Sequence, residues 1–528
     1  MKKFVFIVLF TIFFTRHLQS QPLSGFYTIG PSQNYTTIND AINALINNGV
    51  SGPVTFIIYN GNYYEDIYLP EINGASAQNT ITFRPKPEDS TLVHIIGSSN
   101  STITLDRADY IRFRWLTIEN ANNHAVFILN GANHNIIANC QIIGNITTST
   151  DISHALVYSQ STCDSYNTIE YTRFEGGSYG IYWLGDSNQK ESHTIINGNL
   201  FYSQGKRSIY LENQIACEIR ENTIFSNHGY YSIWIQNVDS SYKIINNKTW
   251  GGGIVAEYCY ASPSNYSIVA NNFVRTDYGS GIINHWCSYV KVVYNTVKVV
   301  GGPSYTAPYY CGYDNSAIFV RNNIFINENY GAAFLVRSPF NSDFNVLYTD
   351  NANYVEDHYY SGGNSFSFNQ WQQLTNNELN SLNIEPVFTS FNDYHTLQQE
   401  LDGSGTPIPE IDYDIDHENR DPSHPDIGAD EFTITNLDFS QTKKGISIYP
   451  NPINDNYIGL LVNKNLNNAT VTLITMEGKP LETLLKGNIS SGYHKIKIKN
   501  KLHNGIYFLR IKSDDLKNSK PQKVIYVK

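Results

Sequence analysis

The sequence predicts an all-β protein: a parallel β-solenoid of short repeated strands, followed by a small β-sandwich. Three observations lead there. A unit of apolar strand, Asn-rich turn and further apolar residue recurs at roughly 23–32 residue intervals. Aromatic residues make up 13% of the chain, with 39 Tyr, while charged residues reach only 16%. Tyr, Val, Ile and Thr suit a pleated surface, and this composition is neither that of a disordered chain nor that of a coiled coil. The 528 residues also exceed one small domain, and their charge divides them.

The net charge of −11 has three parts. Residues 1–20 carry Lys2, Lys3 and Arg16 and no acid, giving +3. Residues 445–528 hold 13 basic against 5 acidic residues, giving +8. Residues 21–444 hold 20 basic against 42 acidic residues, giving −22. A body this acidic is a poor partner for nucleic acid, whose phosphates require Lys and Arg. It also repels acidic polysaccharide unless basic residues cluster or a cation bridges, which favours neutral glycans or cation-assisted binding.

At the N-terminus, Lys2 and Lys3 precede an apolar run over 4–14, and Leu18-Gln19-Ser20 stands before Gln21. A basic start, a short apolar stretch and a cleavage site read as a signal peptide over 1–20. The run is too short to span a bilayer, and no later stretch is long enough for a transmembrane segment. An uncleaved N-terminal anchor is the alternative.

The body, 21–432, starts with a helix. Thr37-Ile-Asn-Asp40 has a capping residue with an acid three positions on, Ile38, Ala41, Ile42, Leu45 and Ile46 form one apolar face, and Gly49 ends it. Such a helix is expected to cap the open end of a solenoid, which otherwise exposes core and strand edges. Strand-plus-turn units follow, among them Asn135-Ile-Ile-Ala-Asn139, Cys217-Glu-Ile-Arg-Glu221, Tyr266-Ser-Ile-Val-Ala-Asn271 and Ile318-Phe-Val-Arg-Asn322. Asn suits these turns because it tolerates the left-handed conformation and bonds backbone groups of the next coil. Each unit has a further strand after a small residue, such as Gly180-Ile-Tyr-Trp-Leu184, Ser208-Ile-Tyr-Leu-Glu212, Ser232-Ile-Trp-Ile-Gln236, Gly253-Ile-Val-Ala-Glu257 and Gly281-Ile-Ile-Asn-His285.

The initial helix, the turn Gly61-Asn-Tyr-Tyr-Glu65 and the Asn-rich coils together resemble the right-handed parallel β-helix proteins of the pectin-lyase-like superfamily. Ser342-Asp-Phe-Asn-Val-Leu-Tyr348 and Pro425-Asp-Ile-Gly-Ala-Asp-Glu-Phe432 look like that family's last coil and closing region, here about 346–432. The resemblance implies the fold over about 27–432 and leaves the activity open, because one fold hosts many chemistries.

The tail, 445–528, follows a linker over 433–444. Apolar strands at 469–475, 494–499, 505–511 and 523–527 alternate with Gly- and Asn-rich turns, as in a small sandwich. Ile448-Tyr-Pro-Asn-Pro452, Gly505-Ile-Tyr-Phe-Leu-Arg-Ile511 and Lys523-Val-Ile-Tyr-Val-Lys528 resemble the type A C-terminal sorting domain of the type IX secretion system. That resemblance implies a Bacteroidota-type bacterium, passage through the type IX machinery, and a product secreted or held at the cell surface. An ordinary adhesive β-domain is the alternative.

Alignment of the small-residue strands on Ile181, Ile209, Ile233, Ile254 and Ile282 points two rows outward, because side chains alternate along a strand. The first row is Tyr182, Tyr210, Trp234, Val255 and Ile283, and the second Leu184, Glu212, Gln236, Glu257 and His285. Tyr182, Tyr210, Trp234 and Gln236 are the substrate-binding candidates for a glycan, unless loops cover the aromatics. Glu257 and His285, one coil apart, have the residue types of an acid–base pair. Glu212 and Glu257, two coils apart, stand about 9–10 Å apart at the backbone, near the upper range of an inverting glycosidase pair. Arg275 and Asp277 on the following turn, and Lys206, Arg207 and His228 on earlier turns, offer the cations and bases that a polysaccharide lyase uses.

No cofactor is established by the sequence. Asp412, Asp414 and Asp416 form half of a calcium-loop pattern, but His417 replaces the Gly and Ser423 stands where the bidentate Glu belongs, so a plain closing turn competes with a calcium site. Six cysteines in an exported chain permit disulfides, and no Cys-x-x-Cys pair offers a structural zinc site. Cys259 and Cys287 hold equivalent positions in adjacent coils, as a disulfide or as stacked buried thiols. The expected function is a secreted or cell-surface carbohydrate-active solenoid that binds and cleaves polysaccharide by lyase or hydrolase chemistry. The alternative is a non-catalytic adhesin or structural protein.

Overall fold

A computed structural model describes residues 21–432 apart from 161–162, 227–230, 391–392 and 397, together with 446–449, 457–462, 465–476, 478–490, 492–502, 505–514 and 521–526. The signal segment 1–20, His228 and the linker 433–444 lie outside the described residues.

Each coil adds a strand to three long sheets of 13, 12 and 13 strands, taken here in chain order as the first, second and third sheet. The first runs from Leu23–Ile29 to Asn341–Asp343 and the second from Gly61–Tyr63 to Val346–Thr349. The third runs from Ile67–Leu69 through Tyr179–Leu184, Arg207–Glu212, Ile233–Gln236, Ile254–Glu257 and Ile282–His285 to Val355–Asp357. Pairing is parallel until Asn364–Phe366 adds to Val355–Asp357 antiparallel. The expected parallel solenoid is therefore the fold of the body.

Strand alternation builds the core as like-on-like ladders. Ile181, Ile209, Ile233, Ile254 and Ile282 pair in register, and each is at most 1% exposed. Phe56, Phe83 and Phe113 stack at centroid separations of 4.9 and 5.3 Å.

The Asn-rich turn divides its labour between two residues. The first holds a positive φ, as Asn246, Asn271 and Asn322 do at 53–59°, yet Tyr171, Glu221 and Tyr294 hold the same position. The second forms a buried amide ladder: Asn199, Asn222, Asn247, Asn272, Asn295, Asn323 and Asn345. In each step one Oδ1 accepts both the backbone N–H and the side-chain Nδ2 of the preceding Asn at 2.9–3.1 Å. Every buried donor of the turn is thereby satisfied. The ladder ends where Asn345 Nδ2 donates to the wholly buried Glu378 at 3.2 Å.

The N-terminal helix spans Ile38–Asn48, with the Thr37–Asp40 capping box. Glu65 of the Gly61–Glu65 turn accepts from the Ile38 and Asn39 amides at 3.0 and 2.9 Å, adding negative charge where the helix dipole is positive. Ile38, Ala41, Ile42 and Leu45 enter the solenoid core, whereas Ile46 is 46% exposed. A second helix, Phe368–Thr375, was not foreseen: Ser367 and Gln370 form its capping box, and Phe368 and Trp371 join the core.

The chain divides into two compact units, 1–385 with 403–431, and 386–402 with 432–528. The second unit contains two antiparallel sheets of three and four strands, including Leu466–Ile474, Gly492–Lys497, Gly505–Lys512 and Gln522–Tyr526. Ile458, Leu460 and Ile496 of one sheet share a core with Val471, Leu509 and Val524 of the other, as in a sandwich. Strands Ile446–Tyr449, Tyr457–Val462 and Pro480–Ile489 join the four foreseen.

Candidate functional site

The two outward rows of the third sheet form in the expected register. Tyr182 pairs with Tyr210, Tyr210 with Trp234, Trp234 with Val255 and Val255 with Ile283. Beside them, Leu184 pairs with Glu212, Glu212 with Gln236, Gln236 with Glu257 and Glu257 with His285.

The aromatic row is two surfaces, however. Tyr182 and Tyr210 stack on each other at 4.8 Å, and Tyr158 stands 5.8 Å from Tyr182. With Phe127, Ala155 and Tyr179 they form a small apolar cluster outside the sheet, and all three Tyr rings turn faces to neighbours. Stacking of a sugar on the Tyr182 and Tyr210 faces is therefore blocked by their own neighbours, which corrects the reading of an open aromatic ladder. Tyr210 donates its hydroxyl to Glu212 and, at 3.3 Å, to Gln236. Burial pushes the Tyr182 phenol up to about 12.

The second surface begins at Trp234. The Arg207 guanidinium lies 4.1 Å from the Trp234 ring centroid, a cation–π contact. Arg207 Nε and Trp234 Nε1 are both buried with no hydrogen-bond partner among the described residues. Burial raises the Glu257 pKa above its usual range, with the Arg207 charge and the nearby Trp234 N–H offsetting part of the rise. Burial, reinforced by the Arg337 charge, lowers His285 to about 4. Desolvation disfavours the charged form of either group, so it moves the carboxyl up and the imidazole down.

Two members of this surface escaped the sequence reading. Tyr310 pairs with Ile283 and extends the first row, and its ring meets His285 edge-on at 4.8 Å. Cys311 pairs with Val336, so Gly312 and Arg337 follow His285 in the second row. Arg337 Nε donates to the Tyr310 hydroxyl at 2.8 Å. Gly312 is required there, since a Cβ would lie 1.6 Å from His285 Nδ1. Extending the strand alignment by two coils would have found both residues.

Other expected members lie elsewhere. Arg275 belongs to the second-sheet strand Phe273–Thr276 and pairs with Asp277 at 2.7 Å, on a different sheet from Glu257 and His285. Lys206 Nζ sits 5.5 Å from the Tyr179 ring centroid, against the apolar cluster. Asp414 is buried, one carboxylate oxygen accepting from the Asp416 and Glu418 amides and the other from Glu431. Asp416 pairs with Lys248 at 3.1 Å and Asp412 is exposed. Asp414 thus organises the closing turn through backbone amides, while Asp416 reaches Lys248. Cys259 and Cys287 are free, buried thiols, bonded to backbone carbonyls such as Glu257 O and His285 O. Of the two arrangements the sequence left open, the structure has the two thiols free and buried.

Residues 447–527 match the family model described as the secretion system C-terminal sorting domain. No curated protein matches the chain. Among solved structures, the pectin methylesterase of Aspergillus niger is 13% identical, covering 60% of this chain and 88% of its own, with a TM-score of 0.29. The GH136 lacto-N-biosidase of Eubacterium ramulus is 10% identical over 62% of this chain and 65% of its own, with a TM-score of 0.38. A rhamnogalacturonan lyase is 11% identical over 78% of this chain and 97% of its own, with a TM-score of 0.29. The chain is an all-β parallel solenoid ending in a secretion system C-terminal sorting domain, the mark of a protein exported by the type IX route.

Proposed function

We propose that the solenoid binds a glycan along the outer face of its third sheet and cleaves it by acid–base chemistry. The observation that carries this reading is the pairing of Glu257 with His285. They are in register on adjacent coils, and burial displaces their pKa values toward each other. A carboxyl held toward its protonated form and an imidazole held toward its neutral form are matched as general acid and general base. Titratable groups perturbed by burial beside a charged partner cluster at functional sites.

In this reading Glu257 delivers a proton to the glycosidic oxygen. His285 takes one from water or from the sugar ring. Gln236 and Trp234 present hydrogen-bonding groups to sugar hydroxyls, and Arg207 supplies fixed positive charge beside them. Export by the sorting tail brings the protein to polymers outside the cell.

The test is a panel of neutral and uronic-acid polysaccharides, followed by reducing ends and by absorbance of unsaturated ends. Reducing ends without unsaturation identify hydrolysis, and unsaturated ends identify elimination. Binding without either product favours a non-catalytic adhesin.

A further inference from the structure

A different corner of the solenoid, between the first and second sheets, carries a second set of aromatic side chains. Arg114 pairs with Ala138, Ala138 with Glu170 and Glu170 with Asn197. The residues that follow, Trp115, Asn139, Tyr171 and Gly198, therefore occupy one turn position on four successive coils. All four have left-handed backbone, with φ of 53°, 56°, 48° and 65°. Trp115 and Tyr171 are thus two coils apart, about 9.6 Å from the strand spacing, with the smaller Asn139 between them.

The slot is open on the sides that matter. Gly198 lies against Tyr171, where a Cβ would come within 2.6 Å of the ring, so the next coil leaves no room beyond Tyr171 for a side chain. Tyr171 is 53% exposed and Trp115 is half-buried. The Trp115 indole N–H, the Asn139 side-chain amide and the Tyr171 hydroxyl make no hydrogen bond with any described residue, and Gln141 Oε1 accepts none. A concavity of about 520 Å³ surrounds them, lined also by Glu88, Asp89 and Arg173.

We propose that this corner is a binding site for a neutral oligosaccharide, separate from the Glu257–His285 surface. The axial C–H groups of a pyranose carry partial positive charge and meet the negative face of an aromatic ring. Two such contacts at about 4 Å each, plus the puckered thickness of the sugar, fill the separation of Trp115 and Tyr171. The unpartnered amide, indole and phenol groups take hydroxyls that now face water, as the few polar groups of a ligand site do. Of the charged lining groups, Glu88 is paired with Arg84 and Arg173 with Glu175, so the described lining offers a uronate no unpaired cation, and Asp89 disfavours its charge. The residues lie on coils far in sequence from Glu257, so this site stands whether or not the protein cleaves its ligand.

The experiment is calorimetric titration of the full chain carrying Glu257→Gln, so that turnover does not consume the ligand. The probes are cellohexaose, xylohexaose, mannohexaose and galactohexaose, with hexagalacturonate as the acidic control. At least one neutral hexasaccharide is expected to bind. Trp115→Ala and Tyr171→Ala should each weaken it tenfold or more. Asn139→Tyr keeps the turn, since aromatic residues already occupy its neighbours, and should abolish binding by filling the slot. Unchanged melting temperature of Asn139→Tyr keeps this arm independent of misfolding. Binding of none of the neutral probes, preference for hexagalacturonate, or affinity unaltered in Asn139→Tyr overturns the proposal.

Discussion

Glu257 and His285 are register partners on adjacent coils of the parallel third sheet, one held toward its protonated form and the other toward its neutral form by the same loss of water. Neither shift needs the other residue's charge. Each follows from burial on the outer face of the sheet, with Arg207 on one side and Arg337 on the other.

Removing either partner should therefore separate binding from turnover. Glu257→Gln and His285→Ala are each expected to lower kcat by about 10²–10⁴, the usual worth of a general acid or base. Oligosaccharide affinity, read by calorimetry, should change by less than about threefold, because neither change opens the Trp234–Arg207 contact.

The pH profile should carry the same signature. His285 must be neutral to accept a proton, so the acid limb of kcat/KM falls as pH drops through about 4. Arg337 lowers the His285 pKa by like-charge repulsion. Arg337→Gln removes that repulsion, so His285 protonates at higher pH and the acid limb moves upward. The limb is read from initial rates between pH 3 and 8.

The apolar cluster around Tyr182 makes a contrasting prediction. Tyr182→Ala removes a ring stacked between Tyr158 and Tyr210 and should cost about 2 kcal/mol of solenoid stability, less than a fully buried aromatic. Denaturant unfolding followed by tryptophan fluorescence reads the solenoid alone, since all six Trp lie between 115 and 371. Glycan affinity should be unaffected.

Glu378 ties stability to pH. Burial raises its pKa from 4.5 to about 7 in the folded chain, against the opposing hydrogen bonds from Ser342, Ser381 and Asn345. Its contribution is fully present below pH 4.5 and is lost as pH rises toward 7, because the unfolded chain ionises first. Glu378→Gln keeps an acceptor for Asn345 and cannot ionise. At pH 8 it should be more stable than the parent by about 3 kcal/mol, and the two should converge below pH 4.5. Parallel denaturant curves at pH 4 and pH 8 check this.

Much of the architecture was legible because a solenoid repeats its local rules. The Ile ladder fixed the strand register, and that register placed Glu212, Gln236, Glu257 and His285 in one row. The turn chemistry was legible as composition and not as assignment. Asn at the left-handed position is replaceable by Tyr171 or Glu221, while Asn in the ladder satisfies buried donors. What covers the outward rows was not legible from the five aligned strands. Tyr158, the register partner of Tyr182 on the preceding coil, and Tyr179, at the start of the Tyr182 strand, pack against Tyr182, and Arg275 lies on another sheet although it is near Glu257 in sequence. The aromatic row, read as open surface, forms a stacked cluster at Tyr158, Tyr182 and Tyr210 and a cation–π contact with Arg207 at Trp234.

The most direct measurement is product formation by the full chain and by Glu257→Gln on the polysaccharide panel at pH 6. The account predicts new reducing or unsaturated ends from one polymer with the parent chain, and at least a hundredfold fewer with Glu257→Gln at unchanged binding. Equal rates from the two proteins, or binding of a polymer that the parent never cleaves, would contradict it.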